Sequence, residues 1–216
     1  CIRDSGFTPA SYRSRMSFFK SSMEDPEVAL KSGTAPFDKS VAEMYPAYRD
    51  ALKENNAVDF GDLLLFPLQI FDKNPKVLQK YQKQFKYVLV DEYQDTNHAQ
   101  FVLAHTLASE HRNLCVTGDP DQSIYAWRGA NLSNILDFEG QYEDATVVRL
   151  EQNYRSTKNI LAVADRLIGH NQRRKHKSLW TDNELGHPVT VVRCHDQQHE
   201  APRVGAVSYT HLTLPT

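Results

Sequence analysis

Two short apolar runs, each followed at once by acidic and polar residues, constrain the fold of this chain more than any other feature. The first run reads YVLVDE at residues 87–92, and the second reads LCVTGDPDQ at residues 114–122. Both are too short for a helix and contain β-branched residues, so we predict two fully buried strands. A helix is predicted between them, at about residues 97–109. Strands separated by helices favour a parallel α/β sheet, which binds ligands at the carboxyl ends of its strands.

Helical patterns occupy much of the remaining sequence. Further helices are predicted at about residues 9–19, 26–31, 37–54, 63–71, 76–85, 132–138 and 158–170. Two more strands are predicted at residues 146–150 and 189–194.

Length and composition limit the class of protein. The chain has 216 residues, of which 40% are hydrophobic and 24% charged, as is typical of one or two globular domains. The net charge of −2 means that any contact with nucleic acid must depend on a local patch. Three isolated cysteines favour a reducing, cytoplasmic compartment. The apolar runs are far shorter than the ~20 residues that span a bilayer, so we expect no membrane segment.

Asp91 and Glu92 follow directly on the first predicted strand. Two such acids can divide the work of nucleotide hydrolysis: one holds Mg²⁺, usually through its water shell, and the other polarises the attacking water. Taken alone, these residues also fit a strand that ends in a solvated turn with an N-capping acid. The neighbouring motifs favour the catalytic interpretation.

Three blocks in a fixed order carry a resemblance to a known family. They read DEYQDTN at residues 91–97, GDPDQSIYAWRGA at residues 118–130 and LEQNYRST at residues 150–157. These blocks resemble motifs II, III and IV of the superfamily 1A helicases, and most closely the UvrD, PcrA and Rep branch of 3′–5′ DNA translocases. The sequence DFGD at residues 59–62 resembles a further short motif of that branch. The series is far more specific than any single motif.

The resemblance implies a site for ATP and Mg²⁺. Asp91 is placed like the acid that holds Mg²⁺ through water, Glu92 like the general base, and Gln94 like a neighbour in the nucleotide site. Gln122 is placed like the residue that senses the γ-phosphate. A neutral amide suits that role because it both donates and accepts hydrogen bonds, although a turn-capping amide is the other interpretation.

Two residues of the third block complete the implied nucleotide site. Tyr154 is placed like the residue that stacks on the adenine ring, and Arg155 like an arginine finger from the second motor domain. A finger of this kind can contribute ~10³–10⁵ in rate.

The resemblance also implies binding of single-stranded DNA. Tyr125 and Trp127 are placed like an aromatic pair that stacks on bases, and alternation in an extended segment predicts that both rings point the same way. Stacking contributes ~1–3 kcal/mol per base. Arg128 is expected to contact the strand or couple it to the nucleotide site, and Phe60 to stack as well. The alternatives are a core anchor for Trp127, a surface ion pair for Arg128 and a contact at a helix start for Phe60.

The implied fold class is α/β, with a partial RecA-like parallel sheet of the P-loop NTPase type. We assign residues 1–57 to a helical accessory subdomain, residues 58–149 to the later part of a first RecA-like domain and residues 150–207 to the start of a second. Residues 208–216 have no helical period and are interpreted as a non-native tail.

The sequence contains no GxxxxGK[ST], the loop whose backbone and lysine cradle phosphates. We therefore expect the chain to be the middle of an ATP-dependent 3′–5′ DNA helicase of repair or replication, acting on single strands and duplex junctions, and to be inactive in isolation. One alternative is a helicase–nuclease of the RecB or AddA kind, which needs a nuclease module downstream. The other is a non-hydrolysing DNA-binding or accessory protein. The coding sequence upstream of Cys1 would show whether the loop lies outside this chain or is missing from the whole gene.

Overall fold

The structure is a computed structural model that describes residues 7–31, 35–172, 175 and 177–212. The chain forms two compact units. The first contains Cys1–Val147 and Arg173–Lys175, and the second contains Val148–Gln172 and His176–Thr216. In the described ranges, no helix combines the length and the apolar character that crossing a bilayer requires.

Five helices open the first unit and confirm the predicted helical region. They are α1 (Pro9–Ser22), α2 (Pro26–Lys31), α3 (Pro36–Glu54), α4 (Asp62–Lys73) and α5 (Pro75–Gln84). Four of them begin at a proline, which suits the first helical position because its fixed φ is already helical and its missing N–H has no partner there in any case.

The core of the helical region lies between α1 and α3. Its buried members are Tyr12, Met16, Phe19, Val41 and Ala42. Helix α1 also packs against α4 and against a later helix, α6 (His98–Ala108). The first 57 residues therefore share one compact unit with the residues that follow, while their assignment to an accessory subdomain stays a prediction.

A two-stranded parallel sheet lies at the centre of the predicted α/β region. Strand β1 (Val88–Val90) pairs with β2 (Leu114–Val116), with Val88 opposite Leu114. Helix α6 (His98–Ala108) connects them. It begins with a capping box, in which Asn97 and Gln100 each bond the other's backbone N–H. The small parallel sheet confirms the mixed α/β class.

The prediction that both strands are fully buried is wrong. Leu89 is 75% exposed and Cys115 is also exposed, whereas their neighbours in the strands are half-buried. Side chains of a strand alternate between two faces. Helix α6 packs against both strands, so it covers the face opposite Leu89 and Cys115.

The remaining elements differ more from the expectation. The helix predicted at residues 132–138 is two short helices, α7 (Ser133–Leu136) and α8 (Phe138–Gln141). The strands predicted at residues 146–150 and 189–194 are wrong, because both segments are irregular. An apolar run forms a strand only beside a partner that completes its hydrogen bonds. In the described part of the second unit, the backbone pairing is the single bridge Gln152↔Trp180, which involves neither segment.

Within the described part of the second unit there are two helices, α9 (Lys158–Ile168) and α10 (Gln197–Leu212). Helix α10 extends over residues 208–212, where we expected no helical pattern. Residues 213–216 of the expected tail lie outside the described residues. The non-native origin of the tail stays a prediction.

Candidate functional site

The turns that follow β1 and β2 lie side by side. The backbone N–H of Tyr93 donates to the carbonyl of Thr117 at 2.9 Å, and that of Thr117 donates to the carbonyl of Val90 at 2.8 Å. This pairing extends beyond the strands themselves. It places the first two of the three sequence blocks, residues 91–97 and 118–130, beside each other.

Gln94 links the two turns through its side chain, which is 1% exposed. Its Nε2 donates to Oε2 of Glu92 at 2.7 Å, and its Oε1 accepts from the backbone N–H of Asp119 at 3.0 Å. A Cβ on Gly118 would lie 2.4 Å from that same Oε1, so only glycine leaves room for the amide. Gln94 therefore fixes the position of the Glu92 carboxylate relative to the second turn.

Asp119 continues this connection to Gln122. One carboxylate oxygen accepts from Nε2 of Gln122 at 2.7 Å, and the other accepts from the backbone N–H of Asp121 at 3.0 Å. The side chains and backbone of Glu92, Gln94, Asp119 and Gln122 thus form one connected group, which we call the polar chain. Sequence reasoning grouped three of these residues but missed Asp119. The signal for it was an acid directly before a proline, a frequent opening of a tight turn.

Asp91 and Glu92 present carboxylates at the tip of β1. Oδ1 of Asp91 accepts from the backbone N–H of Glu92 at 2.9 Å. Carboxylate oxygens suit Mg²⁺, which usually takes one or two carboxylates and completes its shell with water and phosphate oxygens. No group of three or more His, Cys, Asp or Glu residues converges to hold a metal in the part of the chain that the structure describes. The donors therefore fit an Mg²⁺ shared with phosphates.

The backbone of Glu92 adopts a left-handed conformation with φ of 49°. Such a conformation costs a residue other than glycine ~1–3 kcal/mol and persists where the surroundings fix it. The adjacent Tyr93 is fully buried and supplies that support: its hydroxyl lies 2.8 Å from Nε2 of His105, whose Nδ1 lies 2.9 Å from the hydroxyl of Tyr142. Burial raises the pKa of Tyr93 and lowers the pKa of His105, which favours the neutral forms.

The residues predicted to bind DNA line one groove of the first unit. Phe60, Tyr125, Trp127 and Arg128 share it with serine residues of α1, and its volume is about 1270 Å³. We call it the aromatic groove. Phe60 is 89% exposed and Trp127 is 72% exposed, so Trp127 is not a core anchor.

The extended segment expected around Tyr125 and Trp127 is wrong. Residues Ala126–Arg128 form a 3₁₀ turn instead of an extended segment. The ring centroids are 6.3 Å apart and the planes are tilted by 49°. The Arg128 guanidinium lies 5.2 Å from the Tyr125 centroid and 4.6 Å from the Trp127 centroid. It therefore contacts both rings as a cation–π partner.

Tyr154 and Arg155 belong to the second unit, in the turn between the Gln152 bridge and α9. Tyr154 is 79% exposed and its hydroxyl donates to Oε1 of Gln152 at 2.7 Å. The backbone N–H of Arg155 is held by Oδ1 of Asn153 at 2.9 Å. Their expected roles in adenine stacking and at the γ-phosphate stay predictions.

Comparison with known proteins identifies the family. Residues 3–143 match the model of the UvrD/REP helicase N-terminal domain, and residues 148–207 match the UvrD-like helicase C-terminal domain. The chain belongs to the UvrD/REP helicase family. The resemblance inferred from the motifs is therefore confirmed.

Curated relatives within the UvrD/REP family are named ATP-dependent DNA helicase PcrA. The protein of Leuconostoc citreum is 46% identical over 195 residues, which is 90% of this chain and 26% of the relative. The protein of Bacillus subtilis (strain 168) is 44% identical over 208 residues, which is 96% of this chain and 28% of the relative. The chain spans about a quarter of the length of these relatives.

Proposed function

We propose that this UvrD/REP family chain carries part of the motor of an ATP-dependent 3′–5′ DNA helicase that works in repair or replication. The observation that supports this most strongly is the polar chain, which joins the tips of two parallel strands next to Asp91. In a parallel sheet this edge is where nucleotides bind. The proposed substrates are ATP, single-stranded DNA and duplex junctions, in the cytoplasm and without a membrane partner.

In the proposed mechanism, Glu92 accepts the proton of the attacking water. Its carboxylate is held by the amide of Gln94, so it is oriented before the substrate arrives, and such pre-orientation lowers the barrier. Asp91 would hold Mg²⁺ through water, and the bound ion neutralises charge on the phosphates. Gln122 would contact the γ-phosphate. Tyr154 is proposed to stack on adenine and Arg155 to act as the arginine finger.

Hydrogen bonds connect the polar chain to the segment that carries the aromatic groove. The hydroxyl of Ser123 donates to the carbonyl of Gln94 at 3.3 Å, and the backbone N–H of Asn131 donates to the carbonyl of Thr96 at 3.0 Å. Residues 123–131 are therefore tied at both ends to the loop that carries Gln94. A change at the nucleotide would move the groove through these bonds, which supports coupling of hydrolysis to motion along DNA.

The experiment is substitution in the full-length protein. We expect Glu92→Gln to lower DNA-stimulated ATP turnover by about 10²–10⁴-fold, the usual contribution of a general base, while single-strand binding is retained. Glu110→Gln, an exposed acid, is the matched control and should leave turnover unchanged. The general-base assignment is wrong if turnover of Glu92→Gln stays near normal.

Two further measurements test the rest of the proposal. Trp127→Ala should weaken binding of single-stranded DNA by about fivefold or more, because one stacked base contributes ~1–3 kcal/mol. The 216-residue chain alone should show no ATP turnover, because it lacks the phosphate-cradling loop. Unchanged single-strand affinity in Trp127→Ala would contradict the DNA-binding role of the aromatic groove.

A further inference from the structure

Lys20 is a buried lysine beneath the turn that displays Phe60. The residue is 2% exposed. Its Nζ lies 2.7 Å from Oδ2 of Asp59 and 2.7 Å from Oδ1 of Asp62. One ammonium group therefore holds the two acids that flank Phe60 and Gly61, and we call these three charged residues the lysine clamp.

The acids of the lysine clamp also close the turn between them. The backbone N–H of Asp62 donates to Oδ1 of Asp59 at 3.0 Å, and the backbone N–H of Asp59 donates to Oδ2 of Asp62 at 3.2 Å. The hydroxyl of Tyr48 donates to Oδ2 of Asp59 at 3.0 Å. Each acid is thus fixed by both backbone and side-chain partners, so the four-residue turn has a defined shape.

Gly61 brings the turn directly onto the lysine stem. A Cβ at this position would lie 2.7 Å from Cδ and 2.8 Å from Cβ of Lys20, closer than real contacts allow. The backbone of the turn at Gly61 therefore lies directly against the Lys20 side chain of α1. Phe60, next to Gly61, is 89% exposed and is the most exposed aromatic ring of the aromatic groove.

The same end of α1 supports the second aromatic turn. Gly129 ends the 3₁₀ turn with φ of +86°, and a Cβ on it would lie 3.0 Å from Oγ of Ser21 and 3.9 Å from Cδ2 of Phe18. Residues 18–21 of one helix therefore contact both the turn of Phe60 and the turn of Trp127. Their spacing along α1 sets the distance between the two turns.

We propose that Lys20 is a positioning residue for DNA: through Asp59 and Asp62 it holds Phe60 in place at the rim of the aromatic groove. The inference rests on the single-strand binding proposed for that groove. A ring fixed before binding loses less conformational freedom when a base stacks on it than a ring on a loose turn. A buried ion pair adds little net stability compared with apolar residues of the same size, so its fixed geometry is the better explanation for its presence.

The test is a double-mutant cycle on the 216-residue chain, read as the Kd for a fluorescent oligothymidylate. We expect Phe60→Ala to weaken binding by about fivefold, because it removes one stacking ring. Lys20→Met keeps the ring but frees its turn, so we expect a loss of about two- to fivefold. In the Phe60→Ala background, Lys20→Met should change Kd by less than about twofold. Lys53→Met, an exposed lysine on α3, removes the same charge and is the matched control, with a change below about twofold.

Gly61→Ala is a second variant that disturbs the turn of Phe60, and it keeps every charge and the Phe60 ring. The added methyl group should push the turn away from Lys20 and weaken binding by about two- to fivefold, and this loss should also vanish in the Phe60→Ala background. If circular dichroism shows that Lys20→Met does not fold, the Kd of Gly61→Ala is the test of the proposed positioning.

The outcomes distinguish failure of the positioning role of Lys20 from failure of the proposed DNA binding by the aromatic groove. If Trp127→Ala weakens binding but neither Lys20→Met nor Gly61→Ala does, the positioning role of Lys20 is overturned and the groove remains. Full effects of both variants in the Phe60→Ala background would overturn it too, because Lys20 would then act by another route. If Trp127→Ala leaves Kd unchanged, the proposed DNA-binding role of the groove fails, and the inference fails with it.

Discussion

The polar chain and the aromatic groove are built in opposite ways within the same unit. In the polar chain, Glu92, Gln94 and Gln122 are held by one another and by Asp119, all within two adjacent turns. In the aromatic groove, Phe60 and Trp127, two of the rings proposed to bind DNA, are largely exposed. Buried residues of α1 hold their turns from beneath. A polar site can therefore be organised locally, whereas an exposed aromatic site depends on support from a distant element.

The largest change in stability is expected when the buried ammonium group of Lys20 is removed. Lys20→Met leaves two neighbouring carboxylates without their cation, and removing one partner of a buried ion pair costs about 3–5 kcal/mol. We expect the free energy of unfolding, measured with urea, to fall by that amount. Lys53→Met should change it by less than about 0.5 kcal/mol because Lys53 is exposed. A similar small change in both variants would show that the lysine clamp contributes little to stability.

The next largest effect is expected within the polar chain, at Gly118. A Cβ there would lie 2.4 Å from Oε1 of Gln94 and 2.9 Å from Cδ1 of Ile135. Gly118→Ala should therefore displace the amide and destabilise the fold by about 1–3 kcal/mol, as overpacking usually does. Gly140→Ala is the control, since a Cβ there meets nothing within 4 Å.

The same substitution is also expected to affect the two proposed activities unequally. In the full-length protein, Gly118→Ala should lower kcat for ATP more than it raises the Kd for single-stranded DNA, because the polar chain is displaced and the lysine clamp is intact. Equal losses in both quantities would contradict a separate construction of the two sites.

Several features of this arrangement could be predicted from the sequence. Asp91 and Glu92 were placed at the ligand-binding edge of a sheet because they follow directly on a predicted strand, and the resemblance to the helicase family added Gln122. Helices α1 and α6 begin within one residue of their predicted starts, and the proline and asparagine found there suit helix N-termini. The strand and helix signals each lie within a few neighbouring residues, whereas the grouping of distant residues came from the order of the three blocks.

Other features could not be predicted, for identifiable reasons. Lys20 pairs with an acid 39 residues away, and no periodicity links positions so far apart. The alternation argument for Tyr125 and Trp127 assumed an extended backbone, which a 3₁₀ turn replaces. The apolar run at residues 146–150 has strand propensity, but whether a strand forms depends on a neighbour that the run itself does not specify.

A smaller effect is expected at Tyr93, which supports the backbone of Glu92. Tyr93→Phe removes the hydroxyl that bonds His105 and leaves a ring nitrogen without that partner, at a cost of about 1–2 kcal/mol. The ring itself stays, edge-on to Phe138 at 5.8 Å. We therefore expect a modest loss of unfolding free energy with the DNA affinity unchanged. A loss of affinity would show that the two sites share this support.

The smallest expected effect is the pH dependence of the lysine clamp. Burial tends to raise the pKa of Asp59, but its bonds to Lys20, the Asp62 backbone and Tyr48 outweigh it, so the pKa lies below its ordinary value of 3.8. A lowered folded-state pKa contributes stability above pH 3.8, and this contribution is lost as the pH falls through the folded-state value.

Asp59→Asn removes this titration and provides the measurement. The difference in unfolding free energy between the unchanged chain and Asp59→Asn should be constant from pH ~7 to pH ~5 and should shrink by pH ~3. Burial also lowers the pKa of Lys20, yet the hydrogen bonds of Asp59 and Asp62 raise it overall, so Lys20 stays charged throughout this range. A difference that stays constant down to pH ~3 would mean that the ion pair of Asp59 does not hold the turn of Phe60, and the distant support of the groove would then have to come from the Lys20–Asp62 pair and from packing.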